Sequence, residues 1–200
     1  MTPLLLDTNA YFRLAKSFHP LLGKVLPASG VTPGRVLRVI SEVDREFEAN
    51  TALMSKFHWV AEAPYRQNRK QNILGLTGKQ PTLIADKRKF IEFGVRMSRA
   101  AFKAKKVSPP SPTDCLVLAY GEVLGIDVVS DDGGMVYTAS TLMGLKCGVQ
   151  SSLDVLHALL QSNQITLAHI KSAARFLDYE HDLPGSWRRD SIKLFGQKLP

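Results

Sequence analysis

The chain has 200 residues, of which 44% are hydrophobic and 22% are charged, and its net charge is +8. This composition is typical of one compact domain, and the sequence lacks the run of about 18 apolar residues that a membrane helix needs. The two cysteines, Cys115 and Cys147, give neither a disulfide framework nor a metal-ligand spacing. We therefore expect a soluble cytoplasmic protein that has no membrane partner.

Positive charge is concentrated in one segment. From Lys56 to Lys106 the sequence has 13 Lys or Arg residues and three acids, a net charge of +10, whereas the rest has 13 basic and 15 acidic residues, a net charge of −2. A segment of this kind attracts polyanions, of which nucleic acid is the simplest. The alternative is a solvated basic helix that has no partner.

The first half of the chain predicts two strands. The apolar run PLLLD (3–7) is typical of a buried strand, and a loosely helical stretch after it is broken at Pro20 and Pro27. A loop (28–34) with Pro33 and Gly34 precedes a second strand, RVLRVIS (35–41), and a helical stretch (42–57). The basic region, about 60–112, contains a polar stretch (64–72), a loop (75–81) and a helix (82–106). Apolar residues between its charges predict that this helix is half-buried and has a positive outer face.

The second half continues the alternation. Ser111 and Pro112 are typical of a helix start, and Gly125 ends that helix. A strand (126–130), a helix (135–143), a strand (145–149) and two amphipathic helices (151–163 and 165–184) follow. The pattern predicts an α/β fold with a mostly parallel sheet flanked by helices. We expect one α/β domain over 1–155, with the basic region as a helical insertion, and a packed helical extension over 156–200.

Acidic residues recur where predicted strands end or the following helices begin. Because the carboxyl ends of parallel strands meet at one edge of a sheet, we expect these acids to lie in one small volume. They are Asp7, Glu42 and Glu46, Asp114, and Asp131 and Asp132. Clustered carboxylates repel each other unless a cation neutralises them, and oxygen ligands without His or Cys favour Mg²⁺ or Mn²⁺. Such ions support attack of water on a phosphodiester, so an acidic pocket beside a basic segment indicates a nuclease.

Each acid also has a purely structural interpretation. Asp7 can be a polar strand end, and Glu46 can belong to a surface ion-pair ladder. Asp114 lies three residues after Ser111, where it can close a capping box. Asp131 and Asp132 precede two glycines, as in an ordinary turn. The structural interpretations are strong one by one and weaker together, because all these positions fall on the same predicted edge.

The motifs LLLDTNAYFRL, VISEVDREF and SPTDCLVLAYGEVLGIDVVSDDGGM together resemble the PIN-domain ribonucleases, and their layout is similar to the VapC toxins of toxin–antitoxin pairs. The similarity runs in order from Leu4 to about Val149. It implies a three-layer PIN-like fold and a Mg²⁺- or Mn²⁺-dependent endoribonuclease that is often dimeric. It also implies that a small antitoxin blocks the acidic pocket.

The resemblance implies a role for each matching position. The metal-binding and catalytic acids are then Asp7, Glu46, Asp114 and Asp132, with Glu42 as the fallback for Glu46 and Asp131 as a secondary ligand. Thr8, Asn9 and Ser130 orient the carboxylates through hydrogen bonds. RNA contacts are expected from the basic segment, at Arg66, Arg69, Lys70, Lys103, Lys105 and Lys106.

The sequence also allows two alternative interpretations. A non-catalytic PIN-like module that binds nucleic acid or protein is the competing functional class, with its acids serving only the fold. Cys115, Trp59 and Trp187 are predicted to be packed in the core, although a thiol nucleophile and base-stacking indoles are the functional alternatives.

Overall fold

A parallel β-sheet organises the chain. The computed structural model describes residues 2–17, 35–49, 51–56 and 58–199. Within them the sheet has the spatial order β2-β1-β3-β4, and all three strand pairings are parallel. Its strands are β1 (Thr2–Leu6), β2 (Arg35–Arg38), β3 (Asp127–Val129) and β4 (Val149–Gln150). The predicted α/β class with a parallel sheet is therefore confirmed.

The strand order reverses at β1, which has a neighbour on each side. Leu4 of β1 pairs with Leu37 of β2 on one side and with Asp127 of β3 on the other. The chain therefore continues from β1 to one side, into β2, and later returns to the opposite side in β3. A reversal of this kind opens a crevice beyond the strand ends, where ligands bind in doubly wound sheets. Asp7 extends the β1–β3 pairing because its N–H donates to the Val129 carbonyl at 3.1 Å.

Helices connect the four strands, and further helices follow the last strand. The chain also has a 3₁₀ turn at His58–Ala61 and a π-helical turn at Thr138–Leu142. The helices are α1 (Thr8–Ser17), α2 (Ser41–Ala49), α3 (Thr51–Lys56), α4 (Ala63–Gln71), α5 (Gln80–Met97), α6 (Arg99–Lys105), α7 (Pro112–Leu124), α8 (Gly133–Tyr137), α9 (Ser152–Gln161), α10 (Leu167–Tyr179) and α11 (Gly185–Phe195).

Helix α7 begins and ends where the sequence predicts. Ser111 and Asp114 form a reciprocal capping box, and Pro112 occupies the first turn, where its missing N–H costs nothing. Gly125 ends the helix with φ of 65°, a left-handed conformation that glycine adopts without a steric penalty. These local signals fix the position of α7 along the chain, and α7 then packs against α5.

The basic region and the C-terminus differ from the prediction. The polar stretch 64–72 forms α4, because Tyr65 and Arg69, four residues apart, are both buried on one face. The predicted helix 82–106 is divided at Ser98 into α5 and α6. A further helix, α11, follows the two predicted C-terminal helices and contains the fully buried Trp187. The last strand lies at Val149–Gln150 rather than over 145–149.

Both tryptophans and both cysteines belong to the interior. Trp59 and Trp187 are buried, which confirms that they pack in the core. Cys115 and Cys147 are buried free thiols, and burial raises the pKa of Cys115 to about 12. Such a thiol is inert as a nucleophile at neutral pH. No helix in the described part of the chain combines the length and the apolar character needed to cross a lipid bilayer.

The predicted break at Pro20 and Pro27 and the predicted loop 28–34 lie outside the described residues.

Candidate active site at the carboxyl edge of the sheet

Asp7 is a buried carboxyl group in the crevice between β1 and β3. It lies one residue beyond β1, and its side chain accepts a hydrogen bond from the Ala10 N–H (2.5 Å) and one from the Ser130 hydroxyl. Burial raises the pKa of Asp7 to about 7, these two hydrogen bonds oppose the rise, and the charges of Asp131 and Asp114 add to it. The ionised form of Asp7 is therefore destabilised, because its hydrogen bonds do not offset the cost of burying its charge.

Glu46 is linked to the start of α1. The Thr8 hydroxyl donates to Glu46 Oε2 at 2.7 Å, across 38 positions of sequence, which brings α2 next to the residue that follows Asp7. Glu42 instead accepts from Arg45 Nη2 (3.1 Å) and from the Ser41 hydroxyl (2.9 Å). Of the two acids left open by the sequence, Glu46 is thus the one placed beside Thr8. The predicted orienting residue Asn9 is exposed.

Asp114 has a structural role and is also coupled to the neighbouring acids. Its Oδ2 accepts from the Ser111 N–H at 2.8 Å, so the capping role that the sequence allows is realised. Burial raises the pKa of Asp114, and the negative charge of Asp132 contributes in the same direction. Because Asp114 in turn raises the pKa of Asp7, the three carboxyl groups form one electrostatically connected set.

Asp132 caps α8, and a glycine allows α8 to approach α7. Asp132 Oδ1 accepts from the N–H groups of Gly134 (2.6 Å) and Met135 (3.1 Å), while the Asp132 N–H donates to the Ser130 hydroxyl (3.0 Å). A Cβ atom on Gly134 would lie 1.9 Å from the carbonyl oxygen of Ser108. Only glycine permits this close approach to the loop before α7. The approach places the start of α8, which Asp132 caps, beside the loop that leads to Asp114.

Asp131 is engaged elsewhere, so its prediction as a secondary metal ligand is corrected. Its Oδ1 accepts from the Ser152 N–H (3.0 Å), and its Oδ2 accepts from Arg13 Nη1 (3.1 Å) and from the Ser152 hydroxyl. The side chain is fully buried in this ion pair. The Trp187 indole N–H also donates to the Ser152 hydroxyl, at 3.2 Å. Asp131 thus ties α1, β3 and α9 together and stabilises the fold.

Among the described residues, three of the candidate acids have one oxygen that accepts a hydrogen bond and one oxygen that no protein donor contacts. Glu46 Oε1, Asp114 Oδ1 and Asp132 Oδ2 are the oxygens without one. Such half-engaged carboxylates are oriented ligands of the hard type that Mg²⁺ and Mn²⁺ prefer. Within the described residues, however, no three His, Cys, Asp or Glu side chains lie close enough to hold one metal ion. Joint ligation therefore requires these side chains to move toward a shared ion.

The predicted RNA-contacting residues fall into two groups. Arg66, Lys70, Lys103, Lys105 and Lys106 are exposed. Lys105 also lines a cleft of about 580 Å³ that reaches Ser130 beside Asp7.

Arg69 is the exception, and its assignment as an RNA contact is wrong. Its side chain is 1% exposed, and its Nε donates to Asp44 Oδ1 at 2.9 Å. The guanidinium carbon lies 4.8 Å from the ring centre of Phe47 and 5.6 Å from that of Tyr11. A side chain enclosed in this way cannot reach a phosphate. The distribution of charge along the sequence does not reveal this ion pair, because Asp44 lies 25 residues from Arg69.

Comparison with known proteins adds no relative to this description. No protein-family model, no curated protein and no solved structure matches the chain.

Proposed function

We propose that this chain is a divalent-metal-dependent endoribonuclease with a PIN-like fold, in which Asp7, Glu46, Asp114 and Asp132 bind Mg²⁺ or Mn²⁺. One observation carries the proposal: Asp7 is a buried carboxyl group at the switch of strand order, with a raised pKa and with Asp114 as an electrostatic neighbour. A buried acid that is destabilised by other acids is typical of a functional site. A divalent cation is the partner that would compensate it.

The residues of the crevice have distinct tasks in this proposal. Ala10 N–H and Ser130 hold the Asp7 carboxyl in place, and Thr8 holds Glu46. When bound, the cation supplies an activated water and stabilises charge on the phosphodiester oxygens. The exposed basic residues around Lys105 neutralise the RNA backbone and keep the phosphate near the acids.

A toxin-type role is a further part of the proposal. It includes a small antitoxin that covers the acidic crevice and a homodimeric enzyme. This part is supported by the motif resemblance to the VapC toxins.

A second candidate function is a non-catalytic PIN-like module that binds RNA or protein. The observation that favours it is that Asp114 and Asp132 already cap helices, so their presence is explained without a metal. The two functions differ in one result: the endoribonuclease cleaves RNA when a divalent cation is added, whereas the binding module does not.

Cleavage of a fluorescently labelled single-stranded RNA separates the two functions. The wild-type chain with Mn²⁺ or Mg²⁺ is expected to cut the RNA, and EDTA is expected to stop the reaction. Asp7→Asn should lower the rate about 100- to 1000-fold, because losing one charged ligand removes several kcal/mol of transition-state stabilisation. Asp86→Asn is the matched control, since it removes the same charge from an exposed position on α5. Cleavage by Asp7→Asn at the wild-type rate would contradict the proposal.

A further inference from the structure

Helix α5 exposes an apolar stripe that the fold does not use. Leu83, Phe90, Phe93 and Met97 are 54%, 58%, 54% and 69% exposed. The inner face of α5 is formed instead by Ile84, Ile91 and Val95. The sequence predicts one apolar face with a positive outer face, whereas the structure places Phe90, Phe93 and Met97 among the outer charges. Contiguous exposed apolar side chains on one helix are typical of interaction surfaces.

Each exposed phenylalanine of this stripe is accompanied by a cation. The Lys87 ammonium lies 5.6 Å from the ring centre of Phe90, and the Arg96 guanidinium carbon lies 5.6 Å from that of Phe93. A flat ring with a cation at its face presents both a stacking surface and a positive charge. The stripe thus combines aromatic rings with positive charge, which distinguishes it from a purely apolar patch.

Phe93 also forms one wall of a groove beside the proline loop that precedes α7. The groove has a volume of about 580 Å³ and runs between α5 and the proline loop before α7. Among its described lining residues, Lys89, Arg96 and Arg99 are cationic, and Lys89 lies 3.7 Å from the exposed Asp86 carboxylate. The described acidic lining residue, Glu92, is paired with Arg88 at 2.6 Å. Cys115, which follows Asp114 in α7, is another lining residue of the groove.

We propose that this groove binds a single-stranded stretch of the RNA substrate, with a base stacked on Phe93 and phosphates contacted by Lys89, Arg96 and Arg99. The inference rests on the proposed function and adds how the substrate is recognised. Aromatic platforms beside a basic groove bind unpaired nucleotides without sequence preference, because every base has a π-face and every nucleotide a phosphate. A duplex hides the faces of its bases in the stack, so it cannot use Phe93.

Charge argues against a second copy of the chain as the occupant. The stripe is flanked by three cations, Lys87, Lys89 and Arg96, and by one exposed acid of α5, Asp86. Self-association of this face would bring the cations of two copies together, which is unfavourable. A polyanion is the complementary partner.

The test measures fluorescence anisotropy of a short labelled oligouridine RNA in EDTA, so that binding is observed without cleavage. Phe93→Ala should weaken binding roughly 5- to 100-fold, the range found when one base–aromatic stack is removed. Phe93→Trp should bind as tightly as wild type. The matched control is Tyr179→Ala on α10, which removes an aromatic side chain that is 82% exposed but distant from the groove in sequence.

Binding measurements on charge-removing variants and on a duplex RNA complete the test. Arg96→Gln and Arg99→Gln should each lower the slope of log affinity against log salt by about 0.7, whereas Arg175→Gln, an exposed arginine on α10, should leave it unchanged. Binding of a duplex RNA should not respond to Phe93→Ala.

The outcomes separate this inference from the proposed function. If Phe93→Ala and Tyr179→Ala affect binding equally, or if neither does, the groove is not the binding surface. If Phe93→Ala abolishes a dimer in analytical ultracentrifugation and leaves RNA affinity unchanged, the stripe binds a second copy and the inference is wrong. Groove-dependent binding together with an absence of metal-dependent cleavage would contradict only the proposed function.

Discussion

Asp7→Asn is expected to make the protein more stable above neutral pH, although the same change should slow the proposed RNA cleavage about 100- to 1000-fold. The pKa of Asp7 rises from 3.8 in the unfolded chain to about 7 in the fold, chiefly because of burial. Between these values the folded chain holds a proton that the unfolded chain has released. The free energy of unfolding therefore falls as the pH rises through this range, and the loss is complete above the folded pKa. Asparagine has no charge to desolvate, so it escapes this loss.

The size of this effect follows from the shift. One pKa unit corresponds to about 1.36 kcal/mol, so the gain in stability for Asp7→Asn approaches about 4 kcal/mol near pH 8 and vanishes near pH 4. Urea denaturation of wild type and variant across this pH range measures the difference. Asp86→Asn controls for the general effect of removing one negative charge. A variant that is equally or less stable than wild type near pH 8 would show that Asp7 is not a destabilised acid.

Arg69→Met is expected to destabilise the protein by about 3–5 kcal/mol. The substitution removes the cation from a buried ion pair and leaves the Asp44 carboxylate, 9% exposed in its side chain, without its charged partner. The stacking of the guanidinium over Phe47 and Tyr11 is lost as well. If Arg69 contacted RNA from the surface, the same substitution would change RNA affinity and leave stability unaltered.

Two companion variants identify the cause. Asp44→Asn combined with Arg69→Met should recover part of the loss, because no unpaired charge then remains buried. Lys70→Met, which changes the adjacent exposed cation, should stay within about 0.5 kcal/mol of wild type. Urea denaturation of the three variants provides the comparison. A cost for Arg69→Met no larger than that for Lys70→Met would show that the ion pair contributes nothing to the fold.

The parts of the fold that the sequence predicts correctly are those with strong local signals. β1 is an uninterrupted apolar run, and α7 has a capping serine, a first-turn proline and a terminal glycine close together in the chain. The sequence predicts a helical extension over 156–200 without the bounds of α11, because the anchor of this helix, Trp187, is held by a bond to Ser152, 35 residues away. Such tertiary contacts leave no local pattern in a single sequence.

The same distinction applies to the candidate site. The position of Asp7 beyond β1 follows from the strand itself, and its proximity to Ser130 follows from the parallel pairing of β1 with β3. The different roles of Asp131 and Asp132 could not be predicted, because the two residues are adjacent and Arg13, 118 positions away, binds only one of them. Likewise, the placement of Glu46, rather than Glu42, beside Thr8 comes from a contact across 38 positions of sequence.

Binding of Mn²⁺, followed by the loss of the free-ion signal in electron paramagnetic resonance near pH 8, tests most directly whether these carboxyl groups share a divalent ion. We expect the wild-type chain to bind the ion, Asp7→Asn and Asp114→Asn to lose binding, and Asp86→Asn to retain it. A wild-type chain that leaves Mn²⁺ free, or an Asp7→Asn variant that binds it as tightly as wild type, would contradict the account.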